Sequence, residues 1–213
     1  YWIDVCDLTS KVDLQTTFGE LLLNSDDNPR EACGVVGVYG SRDDVARMTF
    51  FGLYALQHRG QESVGIATGD GEQIRVHTEM GLVSQTFQEN DLLRLPGHLA
   101  IGHTRYSTRG TSHIRNAQPI LSNGNDVQIA LAHNGNVVNA LDLKKELEEW
   151  GCTFSSTSDS ELIAHLISNA PANEWADRIA YCIRRVQGAY SLTFMTKDLL
   201  FGVRDPLGVR PLC

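Results

Sequence analysis

The residues of this chain best suited to chemistry sit in a few short polar motifs, and the first is built around a thiol. Cys33 heads the apolar run Gly34-Val35-Val36-Gly37-Val38-Tyr39 and follows an acidic leader ending Pro29-Arg30-Glu31-Ala32. A thiol at the head of a strand is an ordinary packing residue. A thiol that becomes the first residue once a leader is cut away is different. It is a nucleophile with its own base attached, the α-amino group.

Three further motifs could serve such a nucleophile. His103-Thr104-Arg105-Tyr106-Ser107-Thr108 ends an apolar run on an arginine, either a surface cation or a guanidinium fork for a carboxylate. His133-Asn134-Gly135-Asn136 reads as a turn, or as an oxyanion hole: a side-chain amide beside a glycine N–H with no Cβ to block approach. Ser155-Ser156-Thr157-Ser158-Asp159-Ser160-Glu161 opens a helical stretch, where Asp159 either complements the helix dipole or receives an ammonium group. Those two readings are compatible. Gln57-His58-Arg59-Gly60-Gln61-Glu62-Ser63, taken residue by residue, is a polar loop. Together, a thiol, an oxyanion hole, a carboxylate receptor and an ammonium receptor are what hydrolysis of a free amino acid's side-chain amide requires.

The elements that must position these groups alternate between strand and helix. Strands are expected at 34–39, 63–68, 73–78, 99–106, 127–133, 189–195 and 199–204, and helices at 44–57, 139–150, 159–169 and 173–187. Gly69-Asp70-Gly71 marks a hairpin, and Asn123-Gly124 a turn before the strand at 127. In the first helix Val45, Met48, Gly52 and Ala55 form the expected inner face. Ser158 and Glu161 stand at capping-box spacing. Tight hairpins in place of regular βαβ crossovers favour antiparallel sheets with helices packed on them, an α+β layered domain at 33–213.

Composition narrows the function classes. The chain has 213 residues and a formal charge of −8, without a Lys/Arg cluster to pair with phosphates, so no nucleic-acid partner is expected. No apolar run approaches the roughly 18–20 residues that cross a bilayer, so no membrane partner is expected either. Residues 1–32 carry seven acidic and two basic side chains, with one weak helical stretch over 14–23. They fit neither a transit peptide nor a secretory signal and read as a linker or cleavable segment. Cys6, Cys33, Cys152, Cys182 and Cys213 are scattered and odd in number, which points to reduced thiols in the cytosol. Metal-ligand spacing, a phosphate loop and a dinucleotide fingerprint are all missing from the sequence.

With these residues in view, a family is recognisable. CGVVG at 33–37, QHRGQES at 57–63, GHTRYST at 102–108, AHNGN at 132–136 and TSDSE at 157–161 closely resemble the class II glutamine amidotransferase domain, an N-terminal nucleophile hydrolase. The resemblance implies a four-layer αββα sandwich of antiparallel sheets. It implies that Cys33 attacks the amide carbon of glutamine, that Asn134 and Gly135 stabilise the oxyanion, and that Arg105 and Asp159 hold the α-carboxylate and α-ammonium. Thr108 would lie near that same end, and Arg59 would organise the pocket. GAYSL at 188–192 and RDPLGVRPL at 204–212 resemble the branch whose second domain, absent from this chain, uses the ammonia and Mg²⁺ to displace pyrophosphate from phosphoribosyl pyrophosphate. The chain therefore reads as the glutaminase fragment of a homo-oligomeric enzyme. Some members of that branch carry a 4Fe–4S cluster, for which this sequence displays no ligand set. The leader resembles a propeptide removed by self-processing, departing from that pattern in its length and in Glu31-Ala32 at the junction. The rivals are the glutaminase half of a glucosamine-6-phosphate synthase or asparagine synthetase, and an unprocessed, non-catalytic module.

Overall fold

The structure, a computed structural model, describes residues 33–40, 44–106, 112–124 and 127–213. Residues 1–32 and Thr108 lie outside the described residues. Two four-stranded sheets face each other. The first has the order β1 (Gly34–Tyr39), β4 (Leu99–Arg105), β2 (Ser63–Gly69), β3 (Ile74–Met80). The second has the order β5 (Ile120–Asn123), β6 (Gln128–Val137), β7 (Gly188–Met195), β8 (Leu200–Arg204). Every pairing is antiparallel. Helix α1 (Val45–Ala55) covers the outer face of the first sheet. On the second sheet, α5 (Asp159–Ser168) packs on β5 and β6, flanked by α4 (Ala140–Glu149) and α6 (Trp175–Arg185). The expected αββα layering is the architecture found.

Alternation along the strands assigns each side chain to a layer. On β6, Ile129, Leu131 and Val137 join the helix-side core with Leu162, Ile163 and Leu166 of α5. Ala130 and Ala132 point the other way, into a core between the sheets with Leu99 and Ile101 of β4. The outer face of β4 meets α1 at Gly102, where a Cβ would lie 2.6 Å from Thr49 and 2.8 Å from Leu53. That close approach sets the helix's inner face. It comprises Val45, Ala46, Thr49 and Leu53, whereas Met48 is 57% exposed and Ala55 is also exposed. The inner face is thus rotated from the expected one, and Thr49 reaches the core because its hydroxyl is satisfied by the Val45 carbonyl at 2.8 Å.

Three other differences from the sequence reading have local causes. Strand β6 runs four residues past His133, because Asn134, Gly135, Asn136 and Val137 pair with Ser191, Tyr190, Ala189 and Gly188 of β7. The Asn-Gly pair is therefore strand and not turn. The capping box at α5 does not form: Ser158 accepts from Ser160 N–H at 3.3 Å. The Glu161 carboxylate instead takes the backbone N–H and hydroxyl groups of Ser155 and Ser156, at 2.6–2.9 Å. Burial alone would raise the Glu161 carboxyl, but these donors outweigh it and hold it below its ordinary value. Finally, α2 (Val83–Thr86), α3 (Glu89–Leu93) and β5 are too short to print a period on the sequence.

The motif at 204–212 closes the second sheet through one carboxylate. Asp205 is buried and accepts backbone N–H bonds from Tyr190, Leu207, Val209 and Arg210 at 3.1–3.3 Å. Removing it would strand one buried donor and three part-buried ones at once. Asp205→Ala is expected to lower stability by about 3 kcal/mol, and Asp205→Asn, which keeps one acceptor oxygen, by about half as much. Urea denaturation followed by circular dichroism measures both.

Candidate active site

Cys33 stands just before β1 and is only partly exposed. Its sulfur lies against the residue that follows β4: Tyr106 N–H points at Sγ over 3.4 Å, and Sγ lies 3.9 Å from the Tyr106 carbonyl oxygen. Arg59, in a 3-10 turn over Gln57–Arg59, donates Nε–H to the Cys33 carbonyl at 3.3 Å. Burial pushes the Cys33 thiol up; Tyr106, Arg105 and Arg210 oppose this without reversing it. A thiol so placed is protonated at neutral pH, and its use as a nucleophile calls for a base.

Cys33, Arg105, Gly135 and Asp159 line one cavity of about 260 Å³, together with Tyr106, Gln118, His133 and the segment 157–160 that leads into α5. That volume lies just under the roughly 300–1,000 Å³ of drug-sized ligand pockets and suits a free amino acid. A larger apolar groove of about 650 Å³ runs between the edge strands β1 and β8 and contains none of the predicted site residues.

Each wall has a definite origin. Arg105 is the last residue of β4, is buried, and donates Nη1–H to Glu62 Oε1 at 2.9 Å. Asp159 is the first residue of α5, where a carboxylate is favoured by the helix dipole. Its Oδ2 accepts the Val137 N–H at 3.0 Å and its Oδ1 lies 3.6 Å from His133 Nδ1. Burial would raise the Asp159 carboxyl, but His133 and the Val137 N–H prevail and hold it below its ordinary value. His133 also meets Ser160 Oγ at 3.1 Å through Nδ1 and donates its backbone N–H to Gln118 Oε1 at 2.7 Å. Its other ring nitrogen, Nε2, is buried without a hydrogen-bond partner among the described residues.

Gly135 has no room for a side chain, because an added Cβ would collide with the Ala189 carbonyl and lie 2.7 Å from the Tyr190 Cα. The reason for glycine is close strand approach and not a positive φ. Asn134 is buried on the inter-sheet side of β6, the side of Ala130 and Ala132. It does not line the cavity, and its amide makes no hydrogen bond with the described residues. His103 donates across the sheets from Nε2 to the His133 carbonyl at 3.1 Å, fixing the peptide unit that leads into Asn134. Burial drives the His103 pKa down to about 3, so the ring is neutral.

The structure therefore brings four of the predicted residues to one cavity and leaves Arg59 and Asn134 out of its lining, while Thr108 lies outside the described residues. Sequence reasoning passed over Glu62 and His133. Both lie inside motifs already singled out, but their roles depend on partners 26 or more positions away. Among the described residues no group of three or more His, Cys, Asp or Glu side chains could hold a metal ion. They supply no ligand set for Mg²⁺ or an iron–sulfur cluster.

Comparison with known proteins bears on the family and the fold. The glutamine amidotransferase domain family matches residues 103–213. The amidophosphoribosyltransferase of Synechococcus elongatus is 52% identical over 195 residues, 91% of this chain and 40% of that protein. The Mycobacterium tuberculosis enzyme of the same name is 44% identical over 205 residues, 93% of this chain and 39% of that protein. Among solved structures, the glutamine phosphoribosylpyrophosphate amidotransferase of B. subtilis, complexed with ADP and GMP, superimposes with a TM-score of 0.76 at 40% identity, over 83% of this chain and 38% of that one. The chain thus spans about 40% of the length of the curated relatives it matches. With the family match covering residues that run from His103 on β4 through Gly135 and Asp159 at the cavity wall, the chain belongs to the glutamine amidotransferase domain family.

Proposed function

We propose that residues 33–213 are the glutamine-hydrolysing domain of an amidophosphoribosyltransferase, and that residues 1–32 are a leader removed before Cys33 becomes active. The observation that carries this reading is the convergence of Cys33, Arg105, Gly135 and Asp159 on one cavity sized for an amino acid.

Arg105 receives the α-carboxylate of glutamine and Asp159 its α-ammonium, with Thr108 at the same end, which presents the side-chain amide to Cys33. The freed α-amine takes the thiol proton as sulfur attacks the amide carbon. Such an amine titrates near 7.7–8.0, close to the operating pH, whereas lysine at about 10.4 stays protonated. The oxyanion is met by the Gly135 N–H at the cavity wall; the Asn134 amide, which is outside the lining, serves as the second donor only by turning toward it, and each donor is worth about 2.7–4 kcal/mol in comparable sites. The amine then protonates the leaving nitrogen, ammonia departs, and water hydrolyses the Cys33 thioester to glutamate, restoring thiol and amine. Arg59 holds the Cys33 carbonyl and takes no proton.

Relatives carrying this name are more than twice as long as this chain. In the whole enzyme the ammonia would displace pyrophosphate from phosphoribosyl pyrophosphate with Mg²⁺, giving phosphoribosylamine in the first committed step of purine synthesis. A cytosolic, homo-oligomeric enzyme fits that role. Among the described residues no helix is long and apolar enough to cross a membrane.

Incubation of the protein with glutamine should yield equal amounts of glutamate and ammonia, and its intact mass should show the loss of residues 1–32. A mature protein that retains the leader and is inert toward glutamine would overturn the proposal in favour of a non-catalytic module. Cys33→Ala should abolish hydrolysis. Asp159→Asn should raise the KM for glutamine by about tenfold or more while changing kcat less, since an ion-assisted hydrogen bond contributes about 1.5–3 kcal/mol. Because Asp159 is held ionised below the usual carboxylate range, the acid limb of kcat/KM should follow the α-amine, with activity rising as pH increases through about 7–8. A limb near pH 4–5 instead would show that a carboxylate is the base.

A further inference from the structure

Arg105 and Glu62 form an ion pair at 2.9 Å in which each side chain is only 10% exposed. The same residues are joined through the backbone, Glu62 N–H donating to the Arg105 carbonyl at 3.0 Å. Gly60 permits this approach. A Cβ on it would lie 2.6 Å from the Thr104 carbonyl carbon and 2.8 Å from that of Arg105. The polar run 57–63 is thereby pressed against the end of β4, and Glu62 reaches the guanidinium.

Stability alone is a poor account of this pair. A buried ion pair gains little over apolar packing unless the remaining polar atoms are also satisfied. Here Glu62 Oε2 is buried and has no hydrogen-bond partner among the described residues. Costs of that kind are retained where a site needs them. Arginine has many rotamers to lose, and a carboxylate fixed on it sets its plane before substrate arrives. Arg105 lines the cavity, so its orientation bears directly on what the cavity accepts.

The geometry points to Glu62 as a positioning residue that fixes the Arg105 guanidinium for the α-carboxylate of glutamine, and so sets the preference for an α-amino acid over an amide that lacks the carboxylate. This deepens the reading of Arg105 given above and rests on it. Glu62 touches no reacting atom and acts through Arg105.

The test uses the processed protein, in which Cys33 carries a free α-amino group, assayed with L-glutamine and with 4-aminobutanamide, which is glutamine without its α-carboxylate. Glu62→Gln keeps the shape and one acceptor oxygen but removes the charge; Glu62→Ala removes both. The KM for glutamine should rise about tenfold in the first and about a hundredfold in the second, the range expected for losing hydrogen bonds to a charged group. For 4-aminobutanamide kcat/KM should hardly change, so the wild-type preference shrinks by the same factor. Alkylation of Cys33 by iodoacetamide, which is uncharged, should keep its wild-type rate. If Glu62→Ala does not fold, the isosteric Glu62→Gln carries the test. Equal losses with both amides, accompanied by slower alkylation, would show a merely structural role and overturn the proposal. A KM for glutamine below wild type in Glu62→Gln would show that Glu62 only competes for Arg105, and would overturn it too. A wild-type enzyme that treats both amides alike would refute the role of Arg105 itself, and the proposal with it.

Discussion

The site depends first on one strand pairing, β1 against β4, with Gly34 opposite Thr104. This register puts Cys33, the residue before β1, beside Tyr106, the residue after β4, and so carries the thiol to Arg105. Side chains alternate between faces, so a slip of one residue would turn Arg105 from the inter-sheet side toward α1. The register is fastened locally. Gly34 N–H donates to Thr104 Oγ1 at 3.2 Å, and a Cβ at residue 34 would come within 2.9 Å of that oxygen and 3.0 Å of Leu56. A glycine directly after the cysteine is thus a condition for the pairing, and not a sign of flexibility.

The second sheet completes the site by extending β6 beyond its apolar part. Alanines at 130 and 132 let the sheets approach, and the His103 side chain crosses between them to the His133 carbonyl. The far end of β6 therefore reaches the end of β4, while α5 brings Asp159 to the Val137 N–H. Arg105 and Asp159 then stand on the wall of one cavity, and each is held from behind by a buried partner, Glu62 for the arginine and His133 for the carboxylate. Groups fixed in this way lose little freedom when substrate binds, which is the general origin of preorganisation.

Much of this is legible in the amino-acid sequence, for identifiable reasons. Strands such as 34–39 and 189–195 are short apolar runs bounded by breakers, and the Asp70 hairpin is fixed by local bonds from Glu72 and Gln73 to its carboxylate. The candidate site residues stand out only as a set: arginine, an amide beside glycine, and a carboxylate at a helix start each have an ordinary structural use, and only together with the thiol do they suggest amide hydrolysis. What stays hidden is non-local. Glu62 acquires meaning only through Arg105, 43 positions on, and Gly135 looks like a turn until β7 is laid beside it. The rotated inner face of α1 has the same origin, since Gly102 on another element decides which side of the helix can approach.

The raised thiol pKa brings these constraints together. A cysteine in an electropositive, open position would be a thiolate already and would need no base. Cys33 is not in that position: burial dominates, and Arg105 and Arg210 offset it only in part. His133 lines the same cavity, but its Nδ1 is engaged with Ser160 and Asp159 and its Nε2 belongs to a ring on the α5 side of β6. His103 is neutral, and its Nε2 is committed to a carbonyl. On the proposed reading the nearest group with a suitable pKa is the nitrogen of Cys33 itself, attached to the same Cα as the thiol. While that nitrogen is in a peptide bond it cannot take a proton. The geometry of the cavity and the state of the bond before Cys33 are therefore separate requirements, and a fully formed pocket would remain inactive until the second is met.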